Sequence, residues 1–256
     1  MNDIHIEFSK SGDRKPKKPV IRENDGVPLK KPTFLNETLT MNDDFVAEQN
    51  RMWSSRYEEV GQNFLFGTEP NHFLANQKER FIPGEKVLSV ADGEGRNSVW
   101  LASQGLQVSA VEISAVAVEK ARRLAKMRGV TVDFCCGDML TEEWRTPQTP
   151  ALFDWVVGIF IQFAPPVLRQ CQFEQIRTLL KPGGQILLQG YTPKQLEYKT
   201  GGPSAVENLY TEEILRQAWK DYTIEYLETY EDTLSEGSGH HGPSALIGMI
   251  ARKPEQ

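Results

Sequence analysis

The chain has 256 residues, of which 39% are hydrophobic and 25% charged, which is typical of a globular protein with one large domain. Its net charge of -6 at pH 7 argues against a nucleic-acid binder that depends on bulk electrostatic attraction, although it leaves room for a local basic groove. Cys135 and Cys136 are adjacent rather than spaced as zinc ligands, so we predict no metal site. Without a signal peptide or a membrane-spanning stretch, we expect a cytoplasmic protein that binds no membrane.

Residues 1–45 are predicted to form a disordered arm. Lysine and arginine are concentrated between positions 10 and 31, and prolines interrupt any helix there. The basic run could contact acidic partners, but a solvated tail is the simpler interpretation.

Residues 46–82 are predicted to form a helical lid. A helix that begins after Asp44 carries Trp53 and Tyr57, the loop Gly61–Gly67 follows, and Glu69–Phe81 is predicted to be a second short helix.

From residue 83 onward, strand and helix patterns alternate, which predicts a core domain over residues 83–256. The predicted strands are Lys86–Ala91, Gln107–Glu112, Val130–Cys136, Phe153–Phe160, Gln185–Tyr191, Tyr222–Tyr230 and Ser244–Arg252. The predicted helices between them are Arg96–Gln104, Ser114–Arg128, Pro166–Leu180 and Glu212–Trp219. This order predicts an α/β fold with a doubly wound, mostly parallel seven-stranded sheet and helices on both faces. No helix separates the last two strands, so a loop over residues 236–243 is expected to join them into an antiparallel C-terminal hairpin.

A turn of small residues follows the first predicted strand. Ala91, Gly93 and Gly95 alternate with larger residues, which lets a ligand approach the backbone just where the next helix offers unpaired N–H groups. Such a turn is typical of nucleotide sites, but Ser98 stands where a dinucleotide fingerprint carries its third glycine. The turn therefore favours another nucleotide-type ligand over a nicotinamide dinucleotide.

Polar residues also follow the next three strands. Glu112 ends the second strand and could accept hydrogen bonds from both hydroxyls of a ribose, or could be a solvent-exposed strand end. Asp138 follows the third strand and could bind an exocyclic amine or only cap the next turn. Gln162 follows the fourth strand and could position a substrate or simply end the strand. Carboxyl ends of parallel strands are where open α/β sheets bind ligands.

This ordered set of motifs resembles the class I S-adenosylmethionine-dependent methyltransferases over about residues 53–253. The residues 91–97 (Ala-Asp-Gly-Glu-Gly-Arg-Asn) look like the branch that includes tellurite-resistance and thiopurine-type small-molecule methyltransferases. The resemblance implies an enzyme that moves a methyl group from S-adenosylmethionine to a small-molecule acceptor by in-line displacement, with no nucleic-acid partner. It also implies these cofactor-binding residues: Ala91, Asp92, Gly93, Glu94, Gly95, Arg96, Asn97, Glu112, Ile113, Asp138, Met139 and Ile159.

The family pattern assigns parts of the cofactor to these positions. Gly93 and Gly95 would pass under the methionine part, and Glu112 would hold the ribose. Asp138 and the Met139 backbone would bind adenine. Ile113 and Ile159 would sandwich the adenine ring.

Catalytic residues are less defined by the sequence, because methyl transfer from a sulfonium does not require a general base. Gln162 and Tyr198 are the candidates, the latter in an insert over residues 191–210. Arg96 is expected to pair with the methionine carboxylate, or only with solvent or Glu94. His240 and His241 could supply a base or a metal ligand, but an exposed turn is the favoured interpretation of this glycine- and serine-rich segment. A non-catalytic S-adenosylmethionine-binding scaffold or sensor and an NAD-dependent oxidoreductase remain the alternatives.

Overall fold

A computed structural model describes residues 33–141 and 143–255 of the chain, with side chains from residue 44 onward. Residues 1–32, which hold most of the predicted disordered arm, lie outside the described residues. The first helix, α1, spans Thr33–Glu59 and so begins inside the segment predicted as the arm, well before Asp44. No proline occurs between Pro32 and Pro70, so none interrupts α1.

The seven strands form one sheet in the order β3-β2-β1-β4-β5-β7-β6. Strands β1 to β5 are parallel, and β7 pairs antiparallel with both β5 and β6, which confirms the predicted fold class. The strands are β1 (Lys86–Val90), β2 (Gln107–Glu112), β3 (Asp133–Cys136), β4 (Phe153–Ile159), β5 (Leu180–Tyr191), β6 (Thr223–Glu236) and β7 (His240–Arg252). The further helices are α2 (His72–Asn76), α3 (Arg96–Ser103), α4 (Ala115–Arg128), α5 (Pro166–Leu179), α6 (Gln195–Tyr198) and α7 (Glu212–Ala218).

Helices cover both faces of the sheet, because alternate strand residues enter two separate cores. Val87 and Trp155 pack with Leu101 of α3 on one face. Leu88 packs with Ile176 of α5 on the other face. All five side chains are completely buried, so the central strands are apolar on both sides, as expected for a parallel sheet. In the described part of the chain, no helix combines the length and apolarity needed to cross a membrane.

The C-terminal hairpin differs most from the sequence prediction. Its strands continue through the predicted loop over residues 236–243, and Glu236 pairs with His240 as the last rung of the ladder. The turn therefore contains only residues 237–239. The sequence of this region is polar and rich in glycine, but the two strands stay in register across the hairpin as far as Glu236 and His240.

The segment before the core domain is also less helical than predicted. Residues 69–81 contain only the short helix α2 and a single 3-10 turn over Lys78–Arg80. Pro70 lies outside the helix, and the Asn71 side chain caps α2 by accepting a hydrogen bond from the Leu74 N–H at 3.0 Å.

The hairpin tip lies at the same edge of the sheet as the carboxyl ends of the parallel strands, because β7 runs antiparallel to β5. There it packs against the loop that follows α1, with Gly239 N–H donating to the Leu65 carbonyl at 3.0 Å. A side chain at Gly237 would come within 2.4 Å of that carbonyl, and one at Gly239 within 2.3 Å of the Phe66 ring. The two glycines thus allow the tip to dock against residues 65–67.

Gly95 is predicted to be essential for packing α3 against α4. It has a φ of +88°, and an added Cβ would lie 2.7 Å from the Cβ of Ala121. We expect Gly95→Ala to lower the free energy of unfolding by about 1–2 kcal/mol from the backbone and about 1–3 kcal/mol more from the contact. Denaturant unfolding of the purified protein measures this.

Gly84→Ala is the matched control, because Gly84 has a φ of +91° and open space around it. It should show the backbone cost alone. Equal losses in the two variants would contradict the proposed contact between the turn and α4.

Candidate functional site

A cavity opens at the carboxyl edge of the sheet, with about 900 Å³ of space that includes open solvent at its mouth. It lies where the strand order reverses between β1 and β4, the usual ligand position in such sheets. Ten of the twelve residues predicted to bind cofactor line it, all except Glu94 and Gly95. The structure thus brings together residues that follow β1, β2, β3 and β4.

The turn after β1 is held in shape by a buried carboxylate. Asp92 accepts hydrogen bonds from the hydroxyls of Ser89 at 2.7 Å and Ser98 at 2.5 Å. Burial raises the pKa of Asp92 to about 6, although these hydrogen bonds oppose the change. Ser98, which replaces the third glycine of a dinucleotide fingerprint, therefore has a defined role in fixing the turn. Ala91 enters the turn with a φ of +48°, which is uncommon for a residue with a side chain.

Glu112 fixes the same turn from the end of β2. Its two carboxylate oxygens accept the backbone N–H groups of Gly93 and Ser114, each at 2.9 Å. Burial raises the pKa of Glu112 to about 7, and the backbone hydrogen bonds only partly oppose this. Glu112 is therefore a buried group facing the cavity rather than a solvent-exposed strand end.

Glu94 lies behind the cavity and joins the N-terminal segment to α4. It pairs with Lys120 at 3.0 Å and accepts the Leu65 N–H at 2.7 Å. Lys120 also donates to the Tyr57 carbonyl at 2.6 Å. These bonds hold the end of α1 over the cavity, where Trp53 and Tyr57 line it.

Arg96 provides the clearest binding feature of the cavity. Its guanidinium pairs with Glu236 at 2.7 Å, not with Glu94 as one sequence interpretation had it, and both side chains are almost fully buried. The Nη1 atom of Arg96 is buried without a hydrogen-bond partner in the described part of the chain. Because buried polar groups are nearly always hydrogen-bonded, this atom fits an anionic group of a ligand.

The other end of the cavity, below β2 and β3, is more apolar. Ile113 and Met139 line it together with Ile159 from the end of β4. Asp138 also lines this end, and one of its carboxylate oxygens accepts the Leu140 N–H at 2.9 Å. Asp138 thus caps the following turn, as one interpretation of the sequence expected, while also bordering the cavity.

The two catalytic candidates do not line the cavity. Gln162 is buried and bonds to the backbone of Tyr191, donating to its carbonyl at 2.9 Å and accepting its N–H at 2.5 Å. It therefore links the end of β4 to the end of β5. Tyr198 is half-buried, and its hydroxyl donates to Glu231 away from the cavity.

Sequence reasoning did not place His240 in the cavity, which it lines together with Phe66 and Phe160. The interpretation of His240 as an exposed turn is wrong, because its ring centroid lies 4.4 Å from those of both Phe66 and Phe160. His241 does point outward and is exposed. The predicted antiparallel hairpin held the missing signal, since the start of its last strand must lie at the carboxyl edge of the sheet.

Comparison with known proteins gives a family match over most of the core. The sequence profile described as Thiopurine S-methyltransferase matches residues 48–248. A thiopurine S-methyltransferase of Pseudomonas fluorescens (strain SBW25) is 33% identical over 166 residues, which cover 59% of this chain and 72% of that protein.

Two further similarities are more limited. A 23S rRNA (uracil(747)-C(5))-methyltransferase of Pyrococcus horikoshii is 36% identical over 64 residues, which are 25% of this chain and 16% of that enzyme's length. The crystal structure of TehB from Haemophilus influenzae superposes with a TM-score of 0.57 at 16% identity, covering 72% of this chain and 62% of that one. The latter likeness shows a common fold.

The buried carboxyls predict a characteristic pH dependence of stability. The pKa of Glu112 rises from 4.5 in the unfolded chain to about 7 in the folded one, so the folded protein holds a proton that the unfolded chain has released. The resulting stability is complete below about pH 4.5 and is lost as the pH rises through about 7. We expect Glu112→Gln to flatten this fall by on the order of 3 kcal/mol. Urea unfolding at several pH values measures it.

Asp154→Asn is the control of opposite sign. Burial raises the pKa of Asp154, but hydrogen bonds from Lys181 and the Lys86 N–H lower it by more. The net change in the pKa of Asp154 is therefore downward. Its contribution is present above its ordinary pKa and is lost as the pH falls. An unchanged pH profile in Glu112→Gln would contradict the buried, protonated state of Glu112.

Proposed function

Since the chain belongs to the thiopurine S-methyltransferase family, we propose that it moves a methyl group from S-adenosylmethionine to a small-molecule acceptor. The observation that carries this proposal is the unpartnered Arg96 Nη1 in a cavity that Glu112 also lines. A methionine carboxylate and a ribose are the two groups these side chains would satisfy.

The residues of the cavity suit the remaining parts of the methyl donor. The backbone at Gly93 is bare, which leaves room for the methionine chain above the turn. Asp138 and the Met139 backbone would bind the adenine edge, while Ile113 and Ile159 offer apolar surface for its ring. Glu94 and Gly95 would act indirectly, by holding the turn against Lys120 and α4.

When bound, S-adenosylmethionine supplies a methyl group that is already activated by a positive sulfur. The chain then has to orient the acceptor and exclude water. Trp53, Tyr57 and Phe66 line the cavity from α1 and the following loop, so they would cover the reacting groups. We propose that residues 46–82 act as a lid in this sense.

Composition and the cavity support our proposals for the partner and the location. The net charge of -6 and a cavity lined by aromatic side chains favour a small molecule over nucleic acid as the acceptor. Cys135, Cys136 and Cys171 are all free thiols, which supports a reducing, cytoplasmic setting.

Binding of S-adenosylhomocysteine should depend on Glu112. We expect calorimetric titration to show one site in the wild-type protein and roughly 10- to 100-fold weaker binding in Glu112→Gln, because the amide keeps only one oxygen to accept hydrogen bonds from the two ribose hydroxyls. Asp154→Asn is the matched control. Asp154 lies at the start of β4, at the opposite end of the strand from the cavity, and it bonds to Lys181. Its affinity should equal that of the wild type.

Folded protein that binds no S-adenosylhomocysteine would sink the proposal. Stabilisation by NADH but not by S-adenosylhomocysteine would favour the oxidoreductase instead.

Turnover distinguishes an enzyme from a scaffold or sensor. Purified protein with S-adenosylmethionine should release S-adenosylhomocysteine with at least one acceptor among thiols, phenols, amines, carboxylates and chalcogen oxyanions. A coupled assay of that release measures it. Tight binding with no release for any class would support the scaffold.

A further inference from the structure

His240 is placed in the cavity by the topology of the sheet. It begins β7, which runs antiparallel to β5, so it lies at the carboxyl edge beside the residues that follow β4. Its ring lies between Phe66 and Phe160, and only 11% of the side chain is exposed. Contacts on both sides fix the orientation of the imidazole.

Glu236 approaches the Nδ1 atom of this imidazole. The distance from Nδ1 to the nearer carboxylate oxygen is 3.7 Å, and Nδ1 has no hydrogen-bond partner within the described residues. A carboxylate beside Nδ1 favours a proton on that nitrogen, which leaves a lone pair on Nε2. Catalytic hydrogen bonds are often this long in free enzymes and shorten when substrate binds.

Burial favours a neutral imidazole, and the surrounding charges act on it in opposite directions. The charged and titratable groups around His240 are Glu236 on β6, Arg96 on α3, Arg56 on α1 and Tyr191 on β5. Burial lowers the pKa of His240 below its ordinary value, Arg96 and Arg56 act in the same direction, and Glu236 opposes them. The pKa of Glu236 itself is held at about 2, since His240 and Arg96 outweigh its burial.

Two other acidic groups that line the cavity, Asp92 and Glu112, already accept hydrogen bonds within the protein. The oxygens of Asp92 accept two serine hydroxyls, and those of Glu112 accept two backbone N–H groups. Burial raises the pKa of Tyr57 well above its ordinary value, so its hydroxyl keeps its proton. His240 is thus well placed to accept a proton inside the cavity.

We propose that His240 is the general base for the methyl acceptor and that Glu236 positions it, an inference that rests on the proposed methyl transfer. The acceptor's O–H or S–H proton moves to Nε2 of His240. The electron pair left on the acceptor forms the bond to the methyl carbon, and the methyl–sulfur bond breaks with its pair remaining on sulfur. The imidazolium later releases its proton to water.

Acceptors of graded acidity test this role. With substituted phenols and thiophenols, His240→Gln should lower kcat by about 10²- to 10⁴-fold for acceptors that hold their proton at the assay pH. It should change kcat little for acceptors that are already anions. Binding of S-adenosylhomocysteine should stay within a few-fold of the wild type, and His241→Gln, at the exposed neighbour, should match the wild type throughout.

A second readout starts with the wild-type protein, where it needs neither activity nor a variant that might fold poorly. Nitrogen-15 spectra of the wild-type complex with S-adenosylhomocysteine should show His240 neutral at pH 7, with its proton on Nδ1. Glu236→Gln should shift the proton toward Nε2 and lower kcat on the protonated acceptors. A charged imidazole, or a wild-type proton on Nε2, would overturn the proposal.

The outcomes separate this inference from the proposed function. If no acceptor gives S-adenosylhomocysteine with the wild-type protein, both fail. If turnover occurs but His240→Gln loses the same factor on anionic and protonated acceptors, only the role of His240 as a base is overturned.

Discussion

The buried carboxylate of Glu236 joins three segments that are far apart in the sequence. One of its oxygens accepts hydrogen bonds from the Asn71 side chain at 3.0 Å and the His72 N–H at 3.2 Å. The other pairs with Arg96 at 2.7 Å and lies near His240. Loss of one partner from such a buried pair typically costs about 3–5 kcal/mol. The start of α2, the start of α3 and the hairpin are therefore held together, and the cavity lies beside their junction.

A second buried ion pair positions the N-terminal segment. Glu94 and Lys120 connect the glycine turn to α4, and both also bond to the backbone of the segment from Tyr57 to Leu65. That segment in turn receives the hairpin tip through Leu65. As a result, charged residues buried outside the cavity determine which aromatic rings line it.

The sequence predicted the sheet and much of the cavity lining well, because both depend on local patterns. Strand and helix periodicity gave the order of the elements, and short motifs after β1 to β4 gave the residues that line the cavity. The ends of the hairpin strands were wrong, since residues 240–243 are held as a strand by pairing across the ladder and not by an apolar pattern. Because the last strand was predicted to begin at Ser244 and not at His240, the place of His240 at the cavity was also missed. Gln162 follows a parallel strand, where site residues are expected. Its amide instead bonds to the Tyr191 backbone and so joins the end of β5 to the end of β4.

By itself, then, the sequence determined the fold class, the family and a glycine turn, most of whose residues line the cavity. These are properties of neighbouring residues, namely periodicity, small side chains and strand ends. Only the tertiary structure decided that Arg96 pairs with Glu236, and that His240 faces the cavity between two phenylalanine rings. Such contacts join residues that are far apart in the chain, as Phe66 and His240 are, at a separation of 174 positions. No local pattern encodes which distant side chains will share one buried space.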